Sequence, residues 1–220
     1  MASRRRPRSR KAAPAARRRR RATAIRPRVA VRAYQVRSAA PPLRFGEVTR
    51  RAERGRSVIQ IRFAIADDVA ILLEMIRELA AYERAPHAVL ATEEDLRRYG
   101  FDHNPRFEAL LAFLDNKPAG FALFFPHFST WRGRPGLYLE DLYVREWARG
   151  RGVGRRLMAR LAALAIERDW PALHFMVLDW NPAKDFYERL GIERRKEWQP
   201  HGASGEALRR LAAQDVSAGD

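Results

Sequence analysis

The amino-acid sequence predicts an α+β (α/β) domain with a central mixed, mostly antiparallel sheet and helices on both faces. The first observation is a series of short apolar runs rich in β-branched and aromatic residues, joined by turn residues, in the first half of the domain. The second is an alternation of strand-like and helix-like segments after residue 137. Together they indicate hairpins followed by strand–helix units, with helices covering the sheet.

The basic excess of the chain is confined to its N-terminal part. The formal net charge is +17 over 220 residues. Residues 1–57 hold 20 Lys and Arg against 2 Asp and Glu, a net of +18, whereas residues 58–220 hold 23 against 24, a net of −1. A segment rich in Arg, Ala and Pro repels itself and has little to bury, so residues 1–57 are expected to be a disordered extension. Residues 58–220 form the predicted domain.

Composition excludes several classes of site. The chain has no cysteine, which rules out disulfides, Cys-ligated zinc and a thiol nucleophile. No apolar run reaches the ~20 residues that span a bilayer, and no apolar signal-peptide core follows the N-terminal arginines. The expectation is a cytoplasmic protein with no membrane partner and no metal.

The strands and helices of the first half follow from periodicity and turn chemistry. Apolar residues at helical spacing predict a helix from about residue 69 to Tyr82–Glu83, with Asp67 as its cap. Thr92 and Asp95 form a capping pattern that opens a second, short helix. Residues 115–118 (Asp-Asn-Lys-Pro) predict a turn, and 130–136 a loop. The predicted strands are 58–63, 107–114, 119–128 and 137–144.

Strand-like and helix-like segments alternate in the second half of the domain. A helical pattern from 153 to 166 ends near Asp169, and residues 173–178 predict another strand. Asn181-Pro182 is typical of a helix start, and Gly191 of a helix end. A weak strand or two and a short helix from Ser204 are expected in the last segment.

The glycine-rich stretch Arg149–Gly154 stands between the fourth predicted strand and the following helix. Three glycines in five residues allow a tight turn, and a helix start adds free N–H groups and the positive end of its dipole. Such a turn binds an anion, most simply a phosphate. It lacks the Lys-Ser/Thr of a nucleoside-triphosphate loop. It fits the pattern Arg-x-x-Gly-x-Gly.

Four further strings accompany Arg149–Gly154 (RGRGVG): Ile76–Glu83 (IRELAAYE), Tyr138–Val144 (YLEDLYV), Leu178–Asn181 (LDWN) and Phe186–Tyr187. Together the five strings resemble the GNAT superfamily of N-acetyltransferases, and within it the branch of spermidine/spermine (diamine) and thialysine acetyltransferases. The resemblance covers about 59–211 and implies the GNAT fold, acetyl-CoA as cosubstrate and direct acetyl transfer to a primary amine.

The resemblance also implies residue roles. Glu140 is expected to be the base that takes a proton from the amine, because a free alkylamine with a pKa near ~10 is protonated at neutral pH. Strict alternation places Glu140 on one face with Leu142 and Val144, and Asp141, the second choice, on the other. Tyr187 is expected to protonate the leaving thiolate; its alternative role is packing.

The coenzyme A site is expected at the glycine-rich turn, with backbone groups of the fourth strand beside it. Backbone donors at Leu142–Val144 are expected to polarise the acetyl carbonyl. Asn181 either contacts pantetheine or caps its helix. The predicted coenzyme residues are Leu142, Tyr143, Val144, Arg149, Gly150, Arg151, Gly152, Val153, Gly154, Arg155, Asn181 and Lys184.

Carboxylates and aromatics are expected to hold the amine by charge and cation–π attraction. The predicted substrate residues are Tyr82, Glu83, Glu140, Asp141 and Trp180. The acceptor is a thialysine- or lysine-like amine, a diamine or a polyamine. The loop 129–135 is basic where the polyamine enzymes carry acids, which favours the thialysine branch. A homodimer is expected, although residues 199–203 lack the apolar run of a closing strand.

Two alternatives stay open. The domain could bind coenzyme A or a polyanion without catalysis. The extension 1–57 could bind nucleic acid electrostatically, serve as an organelle transit segment, or have no function, as with a misassigned start.

Overall fold

The computed structural model describes residues 57–215, which form a five-stranded sheet with helices packed on both faces. The strand order is β1-β2-β3-β4-β5; β1 to β4 pair antiparallel, and β5 pairs parallel to β4. This confirms the predicted mixed, mostly antiparallel sheet. The strands are β1 (Ile59–Phe63), β2 (Glu108–Leu114), β3 (Lys117–Ser129), β4 (Arg134–Val144) and β5 (Leu173–His174). The helices are α1 (Val69–Tyr82), α2 (Glu93–Gly100), α3 (Val153–Glu167), α4 (Ala183–Glu188) and α5 (Gly205–Ala212).

The sheet separates two hydrophobic clusters. On one face, α3 packs against alternate residues of β2, such as Leu110 and Ala112, and on the other α1 packs against Leu111 and Phe113. β2 is therefore buried on both sides, which explains its nearly continuous apolar sequence. The two-residue turn between β2 and β3 is formed by Asp115 and Asn116 with φ of +49° and +64°, as the turn chemistry predicts.

A bulge interrupts β4 at Glu140. Leu123 of β3 pairs with Asp141 and the next residue, Phe124, pairs with Leu139, so Glu140 has no partner across that ladder. The extra residue reverses the alternation. Leu139 therefore belongs to the α3 cluster and Tyr143 to the α1 cluster, although both are odd-numbered. Strict alternation, on which the expected face of Glu140 depends, does not continue through the bulge.

Three local predictions also need correction. Asp67 does not cap α1: residues Ala66–Asp68 form a 3₁₀ turn, and Asp68 instead accepts from the Ile65 N–H at 2.8 Å and pairs with Arg62. β4 begins at Arg134, so the loop before it is shorter than 130–136. The strand predicted at 173–178 ends at His174, because the chain then leaves β4.

The C-terminal segment contains the predicted short helix, α5, which follows Ser204. No strand is present between Gly191 and residue 215, the last described residue, so the expected weak strand is not formed there. Residues 1–56 and 216–220 lie outside the described part of the chain, and the predicted disorder of the extension 1–57 falls almost entirely on them. No helix within 57–215 is long and apolar enough to cross a bilayer.

Candidate active site

The main cleft opens where β4 and β5 separate. Their pairing ends at Tyr138 and His174, so the next residues of β4 have no strand beside them on that edge in the described chain. The segment after β5, the start of α3, and α4 complete the walls around a volume of about 650 Å³. Of the predicted site residues, those lining it are Tyr82, Glu83, Glu140, Asp141, Leu142, Tyr143, Val144, Arg149, Gly150, Gly152, Val153, Gly154, Arg155, Asn181 and Tyr187.

The glycine-rich turn leads directly into α3. Gly150 and Gly152 have φ of +73° and +89°, the left-handed region in which a side chain is strained. The Gly152 carbonyl accepts from the Arg156 N–H at 3.0 Å, the first bond of the helix. The N–H groups of residues 153–155 precede that bond and have no acceptor within α3. These donors and the helix dipole at the cleft can bind a phosphate group.

Ion pairs and cation–π contacts hold this turn in place. Arg145, just after β4, pairs with Glu74 at 2.6 Å and Glu78 at 2.8 Å on α1. The Arg149 Nε donates to the Val144 carbonyl at 3.0 Å, and its guanidinium lies 4.7 Å from the centre of the Tyr82 ring. The turn is thus tied to both α1 and the end of β4, which fixes the donors before a ligand arrives.

Replacing Gly152 with alanine should weaken acetyl-CoA binding. A Cβ at φ +89° costs about 1–2 kcal/mol, and relieving that strain moves the N–H donors at the start of α3. We expect the acetyl-CoA Kd, measured by isothermal titration calorimetry, to rise about tenfold. Gly133→Ala is the matched control, since Gly133 also has positive φ (+62°) with open space around it but lies outside the cleft. An equal Kd for wild type and Gly152→Ala would contradict this role.

Three carboxylates, Glu83, Glu140 and Asp141, line the cleft close enough for Asp141 to be affected by the charges of the other two. Burial, and then the charges of Glu140 and Glu83, raise the pKa of Asp141 to about 6. Burial also raises the pKa of Glu83. A positive charge would therefore stabilise the site, because an ammonium would offset the electrostatic repulsion among the three carboxylates. Perturbed pKa values of this kind cluster at functional sites.

Asp141→Asn should stabilise the ligand-free protein. The ordinary pKa of 3.8 is raised to about 6 in the fold, so the ionised carboxylate destabilises the folded state above pH 6, and this cost disappears as pH falls through 6 towards 3.8. We expect the free energy of unfolding at pH 7.5 to increase by roughly 1–3 kcal/mol. Chemical denaturation at pH 7.5 and 4.5 measures it.

In the same experiment Asp67→Asn, at an exposed position outside the cleft, should give no pH-dependent gain. If the stability gained by Asp141→Asn increased as the pH falls, the raised pKa of Asp141 would be contradicted, because a raised pKa requires the gain to decrease.

Tyr187 lies on α4 at the cleft, packed between aromatic rings. Its ring centre is 4.5 Å from that of Phe175 and 5.1 Å from that of Phe186. Burial, followed by the charges of Glu83 and Tyr82, raises the pKa of Tyr187 to about 12. The phenol therefore keeps its proton at neutral pH and can donate it or a hydrogen bond. It cannot act as a base there.

Asn181 joins two walls of the cleft. Its side chain is buried, with 8% exposed. The Oδ1 atom accepts from the Ala183 N–H at 2.9 Å, which starts α4, and from the Tyr82 hydroxyl at 3.4 Å. The capping interpretation therefore describes what Asn181 does in this structure, and the bond to Tyr82 additionally fixes the end of α1 against α4.

Three predicted site residues do not line the cleft. Arg151 lies at a separate surface depression with Arg145 and Trp147. The Lys184 ammonium donates to the Asp179 carbonyl and lies 3.3 Å from its carboxylate. Trp180 is 42% exposed, and the Arg84 guanidinium lies 4.4 Å from the centre of its ring.

Several lining residues were not among the sequence predictions. Phe175, Met176 and Val177 form a wall of the cleft as irregular chain, and Arg189 contributes a cation from the end of α4. The composition of the apolar run 173–178 predicts a strand over its whole length, whereas only Leu173–His174 is paired. Within residues 57–215 no group of three or more His, Asp or Glu side chains is arranged to hold a metal ion.

Comparisons with known proteins agree on one family. The profile described as "Acetyltransferase (GNAT) family" matches residues 72–192, which include most of α1, the bulge and the glycine-rich turn. A thialysine N-epsilon-acetyltransferase of Bos taurus is 37% identical over 166 residues, covering 70% of this chain and 97% of that protein. A human spermidine/spermine N(1)-acetyltransferase-like protein 1 is 39% identical over 140 residues, covering 60% of this chain but 20% of that protein. Among solved structures, an integron cassette protein of V. cholerae has a TM-score of 0.60 at 28% identity, covering 70% of this chain and 97% of that one.

Proposed function

The chain belongs to the GNAT family of acetyltransferases, and from that premise we propose that it transfers an acetyl group from acetyl-CoA to a primary amine of a small molecule. The observation that supports this most directly is the placement of three carboxylates and one protonated phenol in a single cleft with a phosphate-binding turn. The acceptor is a thialysine- or lysine-like amine, a diamine or a polyamine.

The residues of the cleft fit acetyl-CoA. The N–H groups at the start of α3, with Arg149 and Arg155, would hold its pyrophosphate. The backbone of Leu142–Val144, free of a strand partner on the cleft side in the described chain, and the 175–177 wall would flank its pantetheine arm. When bound, acetyl-CoA supplies the thioester whose carbonyl carbon the amine nitrogen attacks, and the products are the acetylated amine and the free thiol.

The chain's own groups remove a proton from the amine and stabilise the charge that develops on oxygen and sulfur. Glu140 takes a proton from the amine nitrogen, directly or through a water, so that the nitrogen lone pair is available for attack. Backbone N–H groups of Leu142–Val144 hold the carbonyl oxygen while it carries negative charge. Tyr187 donates a hydrogen bond to the sulfur as the carbon–sulfur bond breaks, and the second proton lost by the amine nitrogen ends on the sulfur to give the free thiol. The transfer is direct, since the chain has no cysteine to accept the acetyl group.

A panel assay tests this function. The protein is mixed with acetyl-CoA and thialysine, lysine, a diamine or a polyamine, and thiol release is measured together with the mass of the product. We expect at least one amine to be acetylated at a rate proportional to enzyme concentration. Tight acetyl-CoA binding without turnover of any amine would support the alternative, a protein that binds coenzyme A without catalysis.

We also propose a cytoplasmic homodimer. Trp198 and the α5 residues Leu208 and Leu211 are more than half exposed, so a second copy would have apolar surface to cover. Analytical ultracentrifugation of the full chain tests this, and a monomer at micromolar concentration would contradict it.

We propose nucleic-acid binding only through the basic extension, residues 1–57. Comparing the DNA affinity of 1–220 and 58–220 at two salt concentrations tests it. Equal, salt-insensitive binding would exclude an electrostatic role.

A further inference from the structure

Arg84 is an exposed residue beside the cleft wall, and it has an unusual backbone conformation. It follows Glu83 at the end of α1 and has φ of +62°, the left-handed region that costs a non-glycine residue about 1 kcal/mol or more. Its N–H bonds the Ala81 carbonyl at 3.1 Å. The guanidinium lies 4.4 Å from the centre of the Trp180 ring.

Trp180 connects Arg84 to the cleft wall. Its ring centre is 6.2 Å from that of Tyr82, which lines the cleft and bonds the buried Asn181. A guanidinium stacked on an indole has a fixed plane while its edge donors stay free. No carboxylate of the described chain forms an ion pair with Arg84, whereas Arg62 and Arg145 each pair with one or more. The Trp180 ring thus fixes the Arg84 guanidinium, which forms no ion pair with the described part of the chain.

The charges beside Arg84 are of the opposite sign. Glu83, Glu140 and Asp141 together favour an ammonium in the cleft and repel a carboxylate. An acceptor that carries both groups must therefore place its carboxylate outside the acidic part. Arg149 is engaged with the Val144 carbonyl and the Tyr82 ring, whereas Arg84 directly follows Glu83 in the chain and forms no ion pair in its described part.

We propose that Arg84 determines acceptor specificity by binding the α-carboxylate of an amino acid whose terminal side-chain amine enters the acidic cleft. This inference rests on the proposed acetyltransferase function and narrows its acceptor to α-amino acids of the lysine or thialysine type. The guanidinium edge forms two parallel hydrogen bonds to the carboxylate, and Trp180 keeps that edge aimed. Trp180 then acts through Arg84 as a positioning residue and does not itself bind the substrate ammonium.

The experiment compares matched acceptors that differ only in the carboxylate. Values of kcat/KM are measured for lysine against cadaverine and for ornithine against putrescine, with wild type and Arg84→Ala. We expect wild type to favour the amino acid of each pair. Arg84→Ala should lower that preference about tenfold or more, through KM of the amino acid, while the diamine values stay within twofold.

Three further variants sharpen the comparison. Arg98→Ala is the matched control, because Arg98 also lies over an aromatic ring, that of Tyr99 at 5.4 Å, but outside the cleft. It should leave the preference unchanged. Arg189→Ala removes the cleft cation on α4 and should not change the preference either. Trp180→Leu should reduce the preference while retaining Arg84.

The outcomes separate the inference from the function on which it rests. Wild type that acetylates no amine overturns the proposed function. Wild type that acetylates both acceptors of a pair equally, or an unchanged preference in Arg84→Ala, overturns the role of Arg84 and leaves the function intact. Thermal unfolding is measured for every variant; should Arg84→Ala be unfolded, Arg84→Gln supplies the same comparison.

Discussion

Replacing Tyr187 with phenylalanine should lower kcat about a hundredfold and leave the acetyl-CoA Kd within about twofold, because only the hydroxyl is lost and the ring contacts with Phe175 and Phe186 stay. The raised pKa of about 12 keeps the phenol protonated. Full proton transfer from it to a thiolate, whose acid has a pKa near 8.5, is uphill. We therefore expect a hydrogen bond in the transition state and an effect near the lower end of the range for general acids.

Steady-state kinetics and calorimetry measure the two quantities separately. Tyr99→Phe is the control, since Tyr99 lies on α2 outside the cleft. If Tyr187→Phe leaves kcat intact, the hydroxyl does not assist the leaving group. If it instead weakens acetyl-CoA binding by the same factor as kcat, the hydroxyl belongs to binding.

Glu140→Gln should lower kcat/KM for the amine about 100- to 1,000-fold at pH 7.5 with unchanged acetyl-CoA affinity. The bulge exposes Glu140 in the cleft, where it can reach an incoming ammonium. Glutamine keeps the shape but cannot take a proton. The variant then depends on free amine in solution, which rises tenfold per pH unit up to the amine pKa near ~10. Its deficit should shrink as pH rises from 7.5 to 9.5.

Two companion variants decide which carboxylate is the base. Glu94→Gln, on the exposed start of α2, should behave as wild type. Asp141→Asn should cost about tenfold, mainly through KM of the amine, because it removes one charge of the acidic site. A larger loss in Asp141→Asn than in Glu140→Gln would assign the base to Asp141, whose raised pKa of about 6 also suits that task.

The fold was predictable because its signals are local. The alternation in β1, the Asp115–Asn116 turn and the helical spacing of α1 each depend on residues near in sequence, and all three elements appear in the structure. The residues of the cleft were predictable because motifs on β4, α3 and α4 resemble one family. The side-chain contacts could not be predicted. The Lys184–Asp179 contact and the stacking of Arg84 on Trp180 depend on the folded backbone, and no sequence motif signals them.

The separation of β4 from β5 could not be predicted from the sequence, for a different reason. Residues 173–178 have strand composition throughout, and composition does not say where a partner strand ends. The bulge at Glu140 was hidden likewise, since an unpaired residue in an apolar strand has the same sequence signature as a paired one. Both features are properties of strand pairing, which arises between segments distant in sequence.

The bulge has a consequence for how β4 tolerates mutation. In a regular strand, the positions that are sensitive to polar substitution are all odd-numbered or all even-numbered along its length. Here the α3-facing positions are odd before the bulge, at 137 and 139, and even after it, at 142 and 144. A complete substitution scan of 134–144 should therefore show a sensitivity profile that changes parity at 140. Deleting Glu140 would restore one parity along β4 while Leu142 and Val144 keep their α3-facing side, so the fold should tolerate the deletion and the cleft should lose one carboxylate.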